Sequence, residues 1–199
     1  MLCPVNCKQD PSRKPPATHT MTWVDVVIGL SGHSGAGKSA LARGLAQRTG
    51  GEVVGFGDLV RETAESLGQD SSDRSILAEI GQGWAEDDPA GLAKAALDRA
   101  GSDRSVLILD GIRHLTVLRE LKRLMPAIHL VFMKGSDELI TKRLGGAYDP
   151  RGHPSEHDVG LLECEADIVL DAAAHTHELV DQVCRAVPLS SLNKATTSA

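Results

Sequence analysis

The chain is short of positive charge. Its 199 residues carry 21 lysines and arginines against 27 aspartates and glutamates, a formal net charge of −6. A protein that grips nucleic acid through a broad basic face needs the opposite balance, so we expect small-molecule ligands and any basic site confined to a pocket. Cysteine is scarce as well: Cys3 and Cys7 sit near the N-terminus, and Cys164 and Cys184 lie far from them. That spacing excludes the disulfide framework of a small secreted scaffold and leads us to expect reduced thiols in a cytoplasmic protein. Long apolar runs are missing too, both at the length that crosses a bilayer and as the core of an N-terminal signal peptide. We therefore expect a soluble chain with no membrane or nucleic-acid partner, acting as a monomer or homodimer. Its length suits one α/β domain with a full core.

Residues 1–20 contain four prolines and no periodic apolar face, so they lack the burial that would offset the entropy of ordering and are expected to be a disordered extension. Cys3, Cys7 and His19 do not make a closed tetrahedral metal site. Met21 stands directly before the first apolar run and is a possible alternative start. Residues 21–188 form the expected domain. Residues 189–199 are small and polar, a flexible tail; Asn193 to Thr196 lacks the aspartate of a guanine-reading motif.

What is present is a phosphate loop. Val26 to Leu30 is a short apolar run suited to a buried strand, and Ala40, Leu41 and Leu45 follow at helical spacing. Between them Gly32, His33, Ser34, Gly35, Ala36, Gly37, Lys38 and Ser39 spell G-x-x-x-x-G-K-S, with Ala40 opening the helix. Small residues at this spacing let several backbone N–H groups turn inward around a phosphate at the positive end of a helix. Lys38 would reach the outer phosphates of ATP, and the Ser39 hydroxyl would serve Mg²⁺. Gly35, Gly37 and Ala40 also make G-x-G-x-x-A, with Asp58 at the distance of a ribose contact. That dinucleotide reading gives no use to Lys38 and Ser39, whereas a triphosphate and its metal need both.

Further along, Gly50-Gly51 stops the first helix and Glu52 to Phe56 reads as a second strand. Asp58 and Arg61 follow, three apart at a strand-to-helix turn, where both can point at a second substrate. Asp58 could equally cap the next helix. Helices are expected over Ser72 to Trp84 and from Asp88-Pro89 to Arg99, a helical insertion over the active face that makes residues 57–104 the substrate-binding part. Arg74 and Arg99 are candidate ligands on it. Val106 to Leu109 is a compact strand ending in Asp110, placed to hold Mg²⁺ by way of its bound water, with Arg113 beside the transferred phosphate. His114 reads as a polar helix-start residue. After an amphipathic helix, Leu115 to Leu124, come a strand, Ile128 to Phe132, and a helix, Asp137 to Leu144. Residues 144–158 are rich in breakers and read as a lid, whose Arg151 would close with Arg143 over the nucleotide phosphates. Ser155 and Asp158 suggest a capping box for a helix to Glu163; Ala166 to Leu170 reads as a fifth strand and Thr176 to Val187 as the last helix. Alternating strands and helices imply a mainly parallel sheet with helices on both faces.

From Val24 to Val187 the chain resembles the P-loop kinases of the nucleoside monophosphate kinase group. The pieces that carry the likeness are G-H-S-G-A-G-K-S, G-D-L-V-R-E at Gly57 to Glu62 and L-I-L-D-G-I-R at Leu107 to Arg113. D-E-L-I-T-K-R-L at Asp137 to Leu144 is similar to the helix that enters the adenylate kinase lid, and A-D-I-V-L-D at Ala166 to Asp171 to the last strand of dephospho-CoA and deoxynucleotide kinases. The resemblance implies a three-layer P-loop NTPase fold of the α/β class, with a five-stranded parallel sheet, a helical substrate subdomain and a short lid. It also implies that Arg61 and Arg113 grip an acceptor phosphate and that Arg143 contacts the donor. Phe56 stands where adenylate kinases carry threonine, so AMP itself is not implied, and the expected acceptor is a nucleoside or deoxynucleoside monophosphate. A nucleoside monophosphate, already anionic, needs no general base. An alcohol such as dephospho-CoA would use Asp58 as base. A nucleotide-dependent switch or non-kinase ATPase is the non-kinase alternative.

Overall fold

The computed structural model describes residues 24–101, 105–145 and 158–189. Five strands form one sheet: β1 (Val26–Gly32), β2 (Glu52–Gly55), β3 (Val106–Ile112), β4 (Ile128–Lys134) and β5 (Ile168–Asp171). All neighbouring pairs run parallel, in the order β2-β3-β1-β4-β5. The three-layer α/β expectation therefore holds, because parallel neighbours need crossovers and the crossing helices cover both faces.

Two apolar clusters lie on the two faces, and the strands feed them alternately. Val27, Leu107, Leu109, Leu130 and Phe132 point into one cluster, and Ile28, Leu30, Ile108, Val131 and Met133 into the other. This is the period of two that makes a doubly covered strand read as an unbroken apolar run. Helices α1 (Lys38–Thr49) and α8 (Thr176–Ala186) cover the second face with Leu41, Leu45, Leu179 and Val183. The first is covered by α2 (Phe56–Ser66), α4 (Pro89–Asp98), α5 (Leu115–Leu124) and α7 (Val159–Cys164), with α3 (Arg74–Asp87) reaching it through Ala85. Each buried leucine or valine of α5, Val117, Leu118 and Leu121, contributes about 1.5–3 kcal/mol by leaving water. The short α6 (Asp137–Arg143) follows β4.

The structure departs from the sequence reading in three places. First, β2 stops at Gly55, and Phe56 opens α2, so three helices and not two separate β2 from β3. Phe56, Leu59, Val60 and Ala64 are its buried residues, a helical spacing that the strand-like run before it obscures. Second, α4 buries Leu92, Ala93, Ala96 and Leu97 against the sheet as a crossover helix and also gives Leu92 to the cleft, whose wall is otherwise extended by α2 and α3. Its start is as expected: the Asp88 side chain accepts from the Gly91 N–H, with Pro89 in the first turn. Third, Asp158 makes no side-chain cap on α7. Its carboxylate accepts instead from the Leu115 N–H at the head of α5. Residues 146–157 of the lid segment, with Arg151 and Ser155, the N-terminal extension and the tail beyond residue 189 lie outside the described residues.

Candidate active site

The sheet's central strands end together at the phosphate loop. Gly32 is the last residue of β1, at φ +131°, and pairs with Met133 of β4. A Cβ there would lie 2.4 Å from the Met133 carbonyl oxygen, so only glycine lets the chain leave the sheet at this point. Gly37, at φ +99°, caps α1 from the left-handed region, and Ala36 beneath the loop is wholly buried. The loop thus brings the head of α1 to the edge of a cleft of about 900 Å³. At that head, N–H groups are left without helical partners and the helix dipole favours an anion.

Lys38 lines this cleft and is 8% exposed. Its ammonium donates to the Gly32 carbonyl at 2.7 Å and the His33 carbonyl at 2.9 Å. Ser39 donates its hydroxyl to Asp110 Oδ2 at 2.6 Å. The other carboxylate oxygen, Asp110 Oδ1, is buried without a hydrogen-bond partner among the described residues. Asp110 owes its place to an irregularity in the sheet: Leu30 pairs with Asp110, but Ser31 pairs with Ile112, so Gly111 is an extra residue at φ +96°. The buried Ser31 hydroxyl, donating to the Ile112 carbonyl at 2.8 Å, fixes the strand beyond the bulge. Bulges re-aim side chains at strand ends, and this one leaves the carboxylate beside Ser39.

The arginines divide into groups. Arg113 lines the cleft and donates to Ser34 Oγ in the loop at 3.0 Å. Arg143 donates to the Gly35 and Ala36 carbonyls at 3.4 and 3.0 Å and to the Ala172 carbonyl at 2.9 Å. It therefore clasps the loop to the segment after β5, where the sequence suggested a contact to the donor. Arg61 and Asp58, one turn apart in α2, pair at 2.5 Å on the cleft wall, both more than half exposed. Asp58 does not cap α2, whose N-cap is Gly55. Arg74 also lines the cleft, but Arg99 does not: it bridges to Glu62 at 2.5 Å on the outer surface of α2. That bond holds the Glu62 carboxyl below its ordinary value.

Arg43, His114 and Gly81 line the cleft without having been singled out as ligands from sequence. His114 sits just before α5, and its burial pushes the imidazole pKa down, opposed by Asp158 and aided by Arg113. No local signal marks Arg43, which falls on the open side of α1.

A family model for the AAA domain matches residues 31–158, from the end of β1 to the head of α7. The chain belongs to the AAA domain family. The matched stretch of this AAA domain holds the phosphate loop, Asp110, Arg43, Arg61, Arg74, Arg99, Arg113 and Arg143. No curated protein matches the chain in sequence. Among solved structures it is similar to a shikimate kinase from Aquifex aeolicus vf5, with TM-score 0.56 and 14% identity over 84% of this chain and 99% of that one. A sugar kinase from Janibacter sp. HTCC2649 gives 0.53 and 20% over 84% and 97%, and a gluconokinase from Sinorhizobium meliloti 1021 gives 0.51 and 20% over 89% and 99%. At these identities the likeness establishes the fold, an α/β domain shared with P-loop kinases. No helix among the described residues is long and apolar enough to cross a membrane.

Proposed function

We propose that this protein is an ATP- and Mg²⁺-dependent kinase of a small anionic acceptor, best matched by a nucleoside or deoxynucleoside monophosphate that becomes the diphosphate. One observation carries the reading: in a chain of net charge −6, the cleft gathers, among the described residues, Lys38, Arg43, Arg61, Arg74, Arg113 and Arg143 against only Asp58 and Asp110. A triphosphate accounts for the cations at the loop. Arg61 and Arg74 stand on α2 and α3, and a second anion gives them a purpose.

The residues present fit a magnesium ion. Asp110 Oδ1, buried and without a partner among the described residues, and the Ser39 hydroxyl on the other carboxylate oxygen form a hard oxygen donor set. When bound, the ion neutralises charge on the outer phosphates. The loop N–H groups and Lys38 would hold the β- and γ-phosphates, and Arg113, beside Ser34, would face the transferred group. An acceptor phosphate oxygen forms the new bond to the γ-phosphorus as the bond to the β-phosphate oxygen breaks, releasing ADP. That oxygen is already anionic, so orientation by Arg61 replaces a general base.

Asp58 supports a second reading, an alcohol acceptor with this carboxylate as base, since it lies on the cleft wall. Arg61 already occupies one of its oxygens, which favours the first reading. An ADP-release screen over ribo- and deoxyribonucleoside monophosphates, dephospho-CoA and small alcohols separates them. Turnover restricted to neutral alcohols would overturn the anionic acceptor, and phosphate released only to water would indicate an ATPase or switch.

A further inference from the structure

Helix α3 turns one face to the cleft. Arg74, Leu77, Ala78 and Gly81 all line it, at the i, i+3, i+4, i+7 spacing of a single helical face. Along that face the side chains shrink from an arginine to none. Val60 of α2 is the direct neighbour of Gly81, and Phe56, Leu92 and Val117 supply further apolar lining.

The fold does not require glycine at position 81. Gly81 and Gly83 both lie inside α3, where glycine is the poorest helix former after proline. Neither has a positive φ. Among the described residues, a Cβ on Gly83 would meet nothing within 4 Å, and one on Gly81 would meet only Val60, at 3.5 Å, an ordinary contact. Of the two, only Gly81 borders the cleft. The space it leaves is therefore room for a ligand.

We propose that Gly81 determines acceptor specificity: the room beside Val60 receives a flat ring of the nucleobase class, while the acceptor's anionic end meets the arginines. This rests on the monophosphate reading and adds where that acceptor's base is seated and which residue sets the size of its seat. A polyol would turn hydroxyls toward Phe56, Val60, Leu92 and Val117, none of which can bond them, and an unpaired buried hydroxyl is unfavourable. A planar ring presents apolar faces to the same wall.

The test compares the full-length chain with Gly81→Ala, Gly81→Val, Gly83→Ala and Gly83→Val. Calorimetry measures binding of AMP, CMP and ribose 5-phosphate, the last carrying the phosphate without a base. Both alanine variants should raise Tm by about 2–4 °C, by relieving a helix glycine. Gly81→Val should weaken AMP and CMP by about tenfold or more, AMP the more strongly, and leave ribose 5-phosphate unchanged, because added bulk in a shaped pocket discriminates by ring size. The Gly83 variants should bind as wild type does. A folded Gly81→Val with wild-type nucleotide affinity overturns the inference. So does a wild-type chain that binds none of the three probes, or binds ribose 5-phosphate as tightly as AMP. ADP formation on the same panel reports on the kinase reading separately: the expected binding pattern without ADP would sink that reading alone, and turnover with an unaltered Gly81→Val would sink the inference alone.

Discussion

The two ends of the cleft are held to different degrees. At the phosphate loop, Lys38 bonds to two loop carbonyls, Ser39 and Arg143 bond to groups on other segments, and the strands beneath are closed to solvent. On α2 the bonds run between exposed side chains: Asp58 with Arg61, and Glu62 with Arg99, every one of them more than 40% exposed. Exposed pairs of this kind contribute little, about 0–1 kcal/mol. The loop end is therefore preorganised, and binding there would order few groups. The α2 end would have to order its side chains around a ligand, so on the proposed reading acceptor affinity depends on what the ligand offers. Changes at the loop should fall on the rate, and changes on α2 and α3 on acceptor recognition.

Lys38→Ala would give the largest effect. The ammonium reaches two loop carbonyls and faces the cleft, so its removal should lower kcat by about 10²–10³-fold, the usual loss for one preorganised charge at a reacting phosphate or oxyanion. The chain should stay folded, with a stability loss of about 3 kcal/mol, because removing the ammonium also removes the cost of burying it, which offsets part of the two charged hydrogen bonds. Single-turnover kinetics beside a thermal melt check both. A mutant that turns over normally removes the basis for calling the loop end the catalytic one.

Arg61→Ala comes next and breaks the comparison from the other side. For a monophosphate acceptor it should raise acceptor KM by about ten- to a hundredfold and leave ATP affinity unchanged, since a charged hydrogen bond is worth about 1.5–3 kcal/mol. Asp58→Asn should be mild. If the order reverses, with kcat collapsing in Asp58→Asn and Arg61→Ala near wild type, the acceptor is an alcohol and Asp58 its base.

Much of this contrast was legible in the sequence, and unevenly so. The loop and the strands around it announce themselves because contiguous apolar runs and a fixed G-x-x-x-x-G-K-S spacing are local facts. The partner oxygen for Ser39 could be guessed from Asp110 at a strand end. The bulge that aims it depends on a register shift between β1 and β3 that no local pattern records. The sequence points Arg143 toward the donor; its bonds to the Ala36 and Gly35 carbonyls, 107 and 108 positions away, are set by packing and carry no local signal. The acceptor wall was harder still: Phe56 extends an apolar run and so reads as strand, which hid the start of α2. Arg99 and Arg74 looked alike until their helices turned one outward and one inward.

A smaller effect probes how firmly α3 is set. Asp73 caps that helix, its side chain accepting from the Ser75 and Ile76 N–H groups. Asp73→Ala should lower stability by about 1 kcal/mol. If the acceptor wall is the looser end, acceptor KM should rise while ATP affinity holds. Equal changes in both would mean the two ends move as one body.

The smallest effect concerns pH, and its sign separates the two ends. His114 stands between them, next to Arg113 and before α5, and its pKa lies below the ordinary 6.5 chiefly because of burial; Asp158 and Glu86 oppose that shift and Arg113 adds to it. The folded chain thus keeps the imidazole neutral at a pH where the unfolded chain has begun to take up a proton. Its contribution to stability is complete above pH 6.5 and is lost as pH falls through the lower folded value. His114→Gln should flatten the acid side of the Tm profile between pH 7.5 and 5.5, by no more than about 2 °C in a chain of this size and with the ring partly solvated. Protonating His114 also adds positive charge to the wall of a cleft that already favours anions, so acceptor affinity should strengthen over the same interval in which stability declines. General acid unfolding would weaken both together. A wild-type chain whose acceptor affinity and Tm fall in parallel, or a His114→Gln chain with the wild-type slope in both, would assign the titration to another group.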